Sequence, residues 1–187
     1  MKTPIWEEST GSLQAWLLAN RLAVPVDLWT ITLRNGAVLR YSSCDVAVTF
    51  GGNTFGLGPI ISAGDTRQKM GVGVDTMSMS IAPRDSDFVG SVPMMQALAA
   101  GLFDGAEVAR WRMFLDSART LKGVIPEFLG RVGDVKITRT KADIQVRSWL
   151  ELLNVNVPGH VYQPGCRRVL FDAKCGVSRA AFTVAGV

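Results

Sequence analysis

Histidine is nearly absent from this sequence: His160 is the only one in 187 residues. A Ser-His-Asp or Cys-His site would have to use it, yet it stands between Gly159 and Val161, beside Pro158, with no nucleophile in a turn signature. Zinc catalysis calls for several His or carboxylate ligands in a local cluster, and the sequence has none. A phosphate-binding loop is missing too. Gly71-Val72-Gly73-Val74 lacks the following Gly and Lys and leads toward a strand, not a helix. The carboxylates Asp85, Asp87 and Asp104 stand beside Pro or Gly at strand ends, where acids satisfy turns. On these grounds the chain reads as a non-enzyme.

Long apolar runs are also lacking. Val92 to Leu102 is interrupted by Gln96, so nothing reads as a bilayer-spanning segment. The opening Met1-Lys2-Thr3-Pro4-Ile5-Trp6-Glu7-Glu8 places acids where a signal peptide needs an apolar stretch. The expectation is a chain made and folded in a cytoplasm. Blocks of Lys and Arg are missing as well. Arg167-Arg168 is the one tight basic pair after the midpoint, and no basic stripe is interleaved with aromatics. Specific nucleic-acid binding is therefore not indicated.

What is present is the composition of a globular domain, 48% apolar and 19% charged, long enough to bury a core without disulfides. The net charge of +4 is uneven. Residues 1–93 carry 7 basic and 8 acidic side chains, a sum of −1, and residues 94–187 carry 13 and 8, a sum of +5. The asymmetry hints at two faces with different partners. The basic residues are nevertheless spread singly along strand-like segments, the pattern of a solvated face.

Periodicity gives the architecture. Ser12 is placed to cap a short helix with Leu13, Trp16 and Leu17 on one side. In Val26 to Leu33 the residues alternate, with Leu28, Thr30 and Thr32 on one face and Trp29, Ile31 and Leu33 on the other. Asn35-Gly36 then signals a hairpin, because both residues accept positive φ. A second hairpin is expected around Gly51-Gly52-Asn53, followed by a Gly-rich connection. In Asp75 to Ile81 the side chains of Met77, Met79 and Ile81 point inward and the small hydroxyls outward. A helix is expected over Met94 to Ala100, with Pro93 in its first turn and Gly101 as its stop. Further strands read as Glu107 to Leu115, Glu127 to Val132, Val135 to Arg139 and Ala142 to Ser148, with Gly133-Asp134 and Thr140-Lys141 as tight connections. Trp149 to Asn154 suggests one helical turn. About eight or nine short strands with two short helices mean a mainly β protein, an antiparallel sandwich or barrel. We place the barrel domain at residues 1–157 and a loop-rich, cysteine-containing appendage at 158–187.

Three cysteines, Cys44, Cys166 and Cys175, are too few for a disulfide framework. Cys44 reads as a small buried apolar residue. Cys166 and Cys175 form a C-x8-C pair whose spacing leaves three readings open: packed thiols, one disulfide, or two ligands of a metal or cluster that needs about four.

Five stretches carry a resemblance. They are Leu28 to Gly36 with Leu39-Arg40-Tyr41, Val74 to Met77, Gly101-Leu102-Phe103-Asp104-Gly105-Ala106, Phe128 to Gly133, and Leu152 through Tyr162-Gln163-Pro164 into Cys166 to Gly176. In this order, over about Leu13 to Gly186, the chain resembles a family of phage tail-tip proteins. That family includes the baseplate hub of gene transfer agents and, more distantly, the lambda tail-tip protein. The Leu170-Phe171-Asp172-x-x-Cys175-Gly176 element is its most specific part.

The resemblance implies β-barrels of the tail-tube type assembled as a homotrimeric hub ring in the virion tail tip, built in the host cytoplasm. It implies a distal tail protein above, a central spike or fibre protein below, contact with the tape-measure protein, and genomic DNA passing through the lumen without specific binding. It also implies that Cys166 and Cys175 match the first two ligands of an iron–sulfur cluster whose other two cysteines lie in a C-terminal region. The sequence ends before that second pair, so a 4Fe–4S cluster is expected if two further cysteines lie beyond residue 187 or come from a neighbouring chain. Strong phosphate contacts would slow DNA in a lumen. Arg110, Arg112, Arg131, Arg139 and Arg147 are therefore expected to face protein partners or the outside. The alternative readings are a tail-associated cell-wall hydrolase module and a small cytoplasmic metal-binding domain.

Overall fold

The computed structural model describes residues 4, 6–7, 12–20, 22–68, 73–153, 171 and 175–182, with the side chains of 6–7 and 181–182 left aside. The chain divides into two compact units, Met1–Asn154 and Val155–Val187. In the second, the described residues include one turn of 3-10 helix at Arg179–Phe182. No described helix is long and apolar enough to cross a membrane.

The first unit is built from β1 (Trp6–Glu7), α1 (Leu13–Ala19), β2 (Val24–Thr32), β3 (Val38–Ser42), β4 (Val48–Phe50), β5 (Asn53–Phe55) and β6 (Ile60–Arg67). There follow β7 (Thr76–Ala82), β8 (Phe88–Val89), β9 (Val92–Pro93), α2 (Met94–Ala99), β10 (Glu107–Leu115), β11 (Leu121–Ile137), β12 (Ala142–Ser148) and a 3-10 turn at Trp149–Leu153. The main sheet runs β3-β2-β10-β11-β12-β7-β6, every neighbouring pair antiparallel, and β1 pairs with β11 below β12. It rolls into a half-barrel, in keeping with the mainly β, antiparallel expectation. The end strands β3 and β6 do not pair with each other. At the seam the connector takes over: Gly56 donates to the Arg40 carbonyl and accepts from the Ser42 N–H, and Gly58 lies against the Tyr41 ring so closely that any β-carbon would strike it.

The alternation read from the sequence is the alternation of burial. Met77, Met79 and Ile81 are buried, while Ser78 and Ser80 are only half-buried on the opposite face. Trp29, Ile31, Leu33, Val108, Phe128, Val132, Ile144 and Val146 fill the inside of the roll, closed by Met94, Ala97 and Leu98 of α2. Both helices begin and end as their end residues dictate. Ser12 accepts from the Ala15 N–H, and Gly101 takes φ +75° just past α2. A second cluster, Val26, Leu28, Phe55, Met113, Leu115 and Val124, lies on the opposite face of β2, β10 and β11. The β4–β5 hairpin covers it, and Phe50 and Phe55 meet Trp111 edge to face.

Two expectations need correction, and one element went unread. Residues 60–67, expected to be part of a Gly-rich connection, form β6, because the free edge of β7 offers a ladder that outweighs the weak strand preference of Gly64. Gly133-Asp134 is not a turn between two strands. It is a bulge inside the 17-residue β11, where the register against β12 shifts between Val132 and Val135. The short β8–β9 hairpin was not foreseen.

Candidate functional site

The most unusual constellation in the first unit is a set of charges inside the sheet. Asp27 and Trp29 of β2 share the inner face, and the register sets Arg112 of β10 opposite Asp27 and Arg110 opposite Trp29. Arg110 Nη2 donates to Asp27 Oδ2 at 2.8 Å, and Arg112 Nε donates to Asp27 Oδ1 at 3.0 Å. The Arg110 guanidinium carbon lies 5.3 Å from the centre of the Trp29 indole. On the third strand the register shifts so that Arg110 faces Phe128 and Trp111 faces Pro126, leaving Glu127 as an extra, bulged residue. Pro126 has no N–H to give the ladder, which suits a bulge. Glu127 Oε1 stands 4.0 Å from Arg112 Nη1.

Two cations and two carboxylates thus face one another across three strands. Arg110 is only 5% exposed, which overturns the expectation of a solvated basic face at this position. Burial would lower the Arg112 guanidinium, but its hydrogen bond and charge contact with Asp27, aided by Glu127, hold it above the ordinary value. The cluster contains no nucleophile. Its chemistry is to lock the register of β2, β10 and β11, since a one-residue slip would strand a buried charge. Sequence reasoning missed Asp27 and Glu127. The available signal was an acid inside the apolar run Val26-Asp27-Leu28-Trp29 facing an Arg-x-Arg strand.

Two of the other three arginines singled out are also engaged by their own chain. Arg131 Nε donates to the Gly105 carbonyl at 2.9 Å. Arg147 joins the bulge to the 3-10 turn by binding Glu151 and Asp134, and the Glu151 hydrogen bond is the chief reason its pKa is raised. Arg139 is exposed at the β11–β12 turn. Asp87 serves its turn as expected, accepting from the Arg84 N–H at 2.7 Å.

Of the sequence-marked pair, Cys175 is described as a free, half-buried thiol. Cys166 lies outside the described residues, as do His160 and Arg167-Arg168. Among the described residues, no three His, Cys, Asp or Glu side chains come close enough to hold a metal ion. Cys44 is free and half-buried against the second cluster, with Sγ 3.4 Å from Asp45 Oδ1. A trough of about 490 Å³ lies on the outer side of β6, β7, β12 and upper β11, lined by Ser62, Gly64, Ser78, Ser80, Asp143 and Gln145 among others.

Several large aliphatic side chains stand in water. Leu18 is 80% exposed, Leu22 77% and Leu153 69%, and Leu57, Ile60 and Leu129 are more than half exposed.

Comparison with known proteins fits this picture. A family model described as "Baseplate hub protein, N-terminal attachment domain" matches residues 11–178. Among solved structures, a chain of the "Virion of native gene transfer agent (GTA) particle" superposes with a TM-score of 0.63 at 23% identity. The match covers 88% of this chain and 53% of that one, so this chain spans about half the length of its structural neighbour. No curated protein matches.

Proposed function

The chain belongs to the baseplate hub protein family, as its N-terminal attachment domain, and from that premise we propose that it forms a trimeric ring joining the tail tube to the tip of a phage or phage-like particle. Its role is structural and its place is the virion tail tip. In this reading a distal tail ring lies above, a central spike or fibre below, and the tape-measure protein within reach, while DNA passes through the lumen without specific binding.

The observation that carries the reading is the family match over residues 11–178 on a half-barrel that leaves many large aliphatic side chains in water. Exposed apolar residues in such number favour assembly over a monomeric life. Arg110, Arg112, Arg131 and Arg147 each have a partner within the chain, which supports a surface that does not grip phosphate, since four of the five arginines marked by the sequence are spoken for.

Cys166 and Cys175 stay in the proposal as two ligands of an iron–sulfur cluster. Two thiolates fall short of the four such a cluster takes, so the remaining donors would come from outside these 187 residues. Bound there, a cluster would cross-link the segment; every other part of the role rests on the β domain.

Native mass spectrometry tests the ring. Multiples of three of the 20.2 kDa chain are expected. A protein that stays monomeric at every concentration, or is missing from purified particles, overturns it. Peptidoglycan hydrolysis by the monomer would move it to the class of tail-associated hydrolases.

A further inference from the structure

Two donors lie at the centre of the sheet with no acceptor among the described residues: the indole Nε1–H of Trp29 and the Nε–H of Arg110. Their side chains are direct cross-strand neighbours, and the guanidinium lies over the indole with its carbon 5.3 Å from the ring centre. Both residues are buried, Trp29 to 1% exposure. A buried donor without a partner loses its water bonds and gains nothing, so native proteins almost never leave one so. Here two lie side by side.

We infer that the seam between β2 and β10 is a built hydration site, in which one internal water accepts from Trp29 Nε1–H and Arg110 Nε–H and donates to the Asp27 carboxylate. Each Asp27 oxygen already accepts from one arginine, at 2.8 and 3.0 Å, and each keeps a free lone pair. Three hydrogen bonds are the usual complement of a buried water. Charge decides the chemical class. Arg110 and Arg112 are balanced by Asp27 and Glu127, so a chloride or other anion would bring an uncompensated charge into the interior, whereas water brings none. Burial decides against a macromolecular group, because nothing larger than water reaches a side chain as enclosed as Trp29.

Nuclear magnetic resonance on the 15N-labelled whole chain tests this without any substitution. The Trp29 indole N–H, one of five in the chain, and the Arg110 Nε–H are assigned through their own backbones. Both are expected to show cross-relaxation with a water resident longer than about a nanosecond, on the timescale of buried rather than surface water. Both shifts should stay unchanged when chloride is exchanged for gluconate. Arg110→Lys keeps a cation for Asp27 but loses the Nε–H, so the Trp29–water signal should fall at least several-fold. No water signal at either donor in the folded protein overturns the site. A chloride-dependent shift overturns the choice of water, and an undiminished Trp29 signal in a folded Arg110→Lys variant removes Arg110 from it.

Discussion

The methyl carbons of Leu13 occupy the space into which a side chain at residue 123 would project. A β-carbon built on Gly123 falls 2.7 Å from Leu13 Cδ2 and 2.8 Å from Cδ1. Leu13 is the one buried residue of α1, and Gly123 belongs to the stretch of β11 that also pairs with β1. The glycine is thus the floor on which the N-terminal arm rests. Gly123→Ala should cost about 1–3 kcal/mol by overpacking, and Leu13→Ala about 2–5 kcal/mol by opening a cavity. The double variant should lose clearly less than the sum, because the added methyl fills the vacated space. Urea denaturation of the four proteins decides; strictly additive losses would show that α1 does not dock there.

Asp27 is the shared acceptor of two arginines, one of them buried, so its removal leaves charge uncompensated. Asp27→Asn is expected to destabilise by about 3–5 kcal/mol. Replacing the pair with apolar residues of similar volume, Asp27→Leu with Arg110→Met, should recover most of that loss. A double variant no more stable than Asp27→Asn would argue against the charge explanation.

Two glycines separate steric from conformational cost. At Gly130 a β-carbon would collide with the backbone carbonyl of Arg147 on β12, and backbone cannot swing aside. Gly130→Ala should cost about 3 kcal/mol, at the upper end of overpacking, with β11–β12 amides losing hydrogen-exchange protection. At Gly36, φ is +86° and nothing lies within 4 Å, so Gly36→Ala should cost only about 1 kcal/mol. The reverse ranking in thermal melts would contradict the packing described.

Tyr41 closes the seam against Gly58, and its hydroxyl pKa is pushed up to about 12, first by burial and then by the charge of Asp87. The folded-state value is raised, so the neutral phenol stabilises the fold below pH 10. That contribution is lost as pH climbs from 10 through 12. Wild type should therefore lose stability over this window relative to Tyr41→Phe. Absorbance titration at 295 nm should show a phenol ionising late. A Tyr41 that titrates at the ordinary value would mean the seam is open.

The strands with strict alternation were legible because one face of each is buried and period 2 writes that burial into the chain. Met77, Met79 and Ile81 are an example, as are Trp29, Ile31 and Leu33. The hairpins and helix ends were legible where a residue has a special backbone demand, as at Gly36, Pro93 and Gly101, although of the Asn35-Gly36 pair only Gly36, at φ +86°, takes the positive φ expected of both. β6 was not legible, because Gly64 and Asp65 depress its local preference and only the waiting edge of β7 makes it a strand. The Gly133-Asp134 bulge was misread for a similar reason: a Gly-Asp pair serves a turn or a bulge equally well, and the choice depends on whether β12 continues past it.

The sequence by itself determined the antiparallel β architecture, the two short helices and membership of the hub family, all properties written in local periodicity, backbone demands and short motifs. Tertiary structure alone decided what the charges do. Arg110 and Arg112 look like any solvated arginines until the register of β10 sets them against Asp27, eighty-three and eighty-five residues away, and a bulge brings Glu127 into line. Electrostatic pairing depends on distance in space. No local pattern could reveal that the basic strand faces inward.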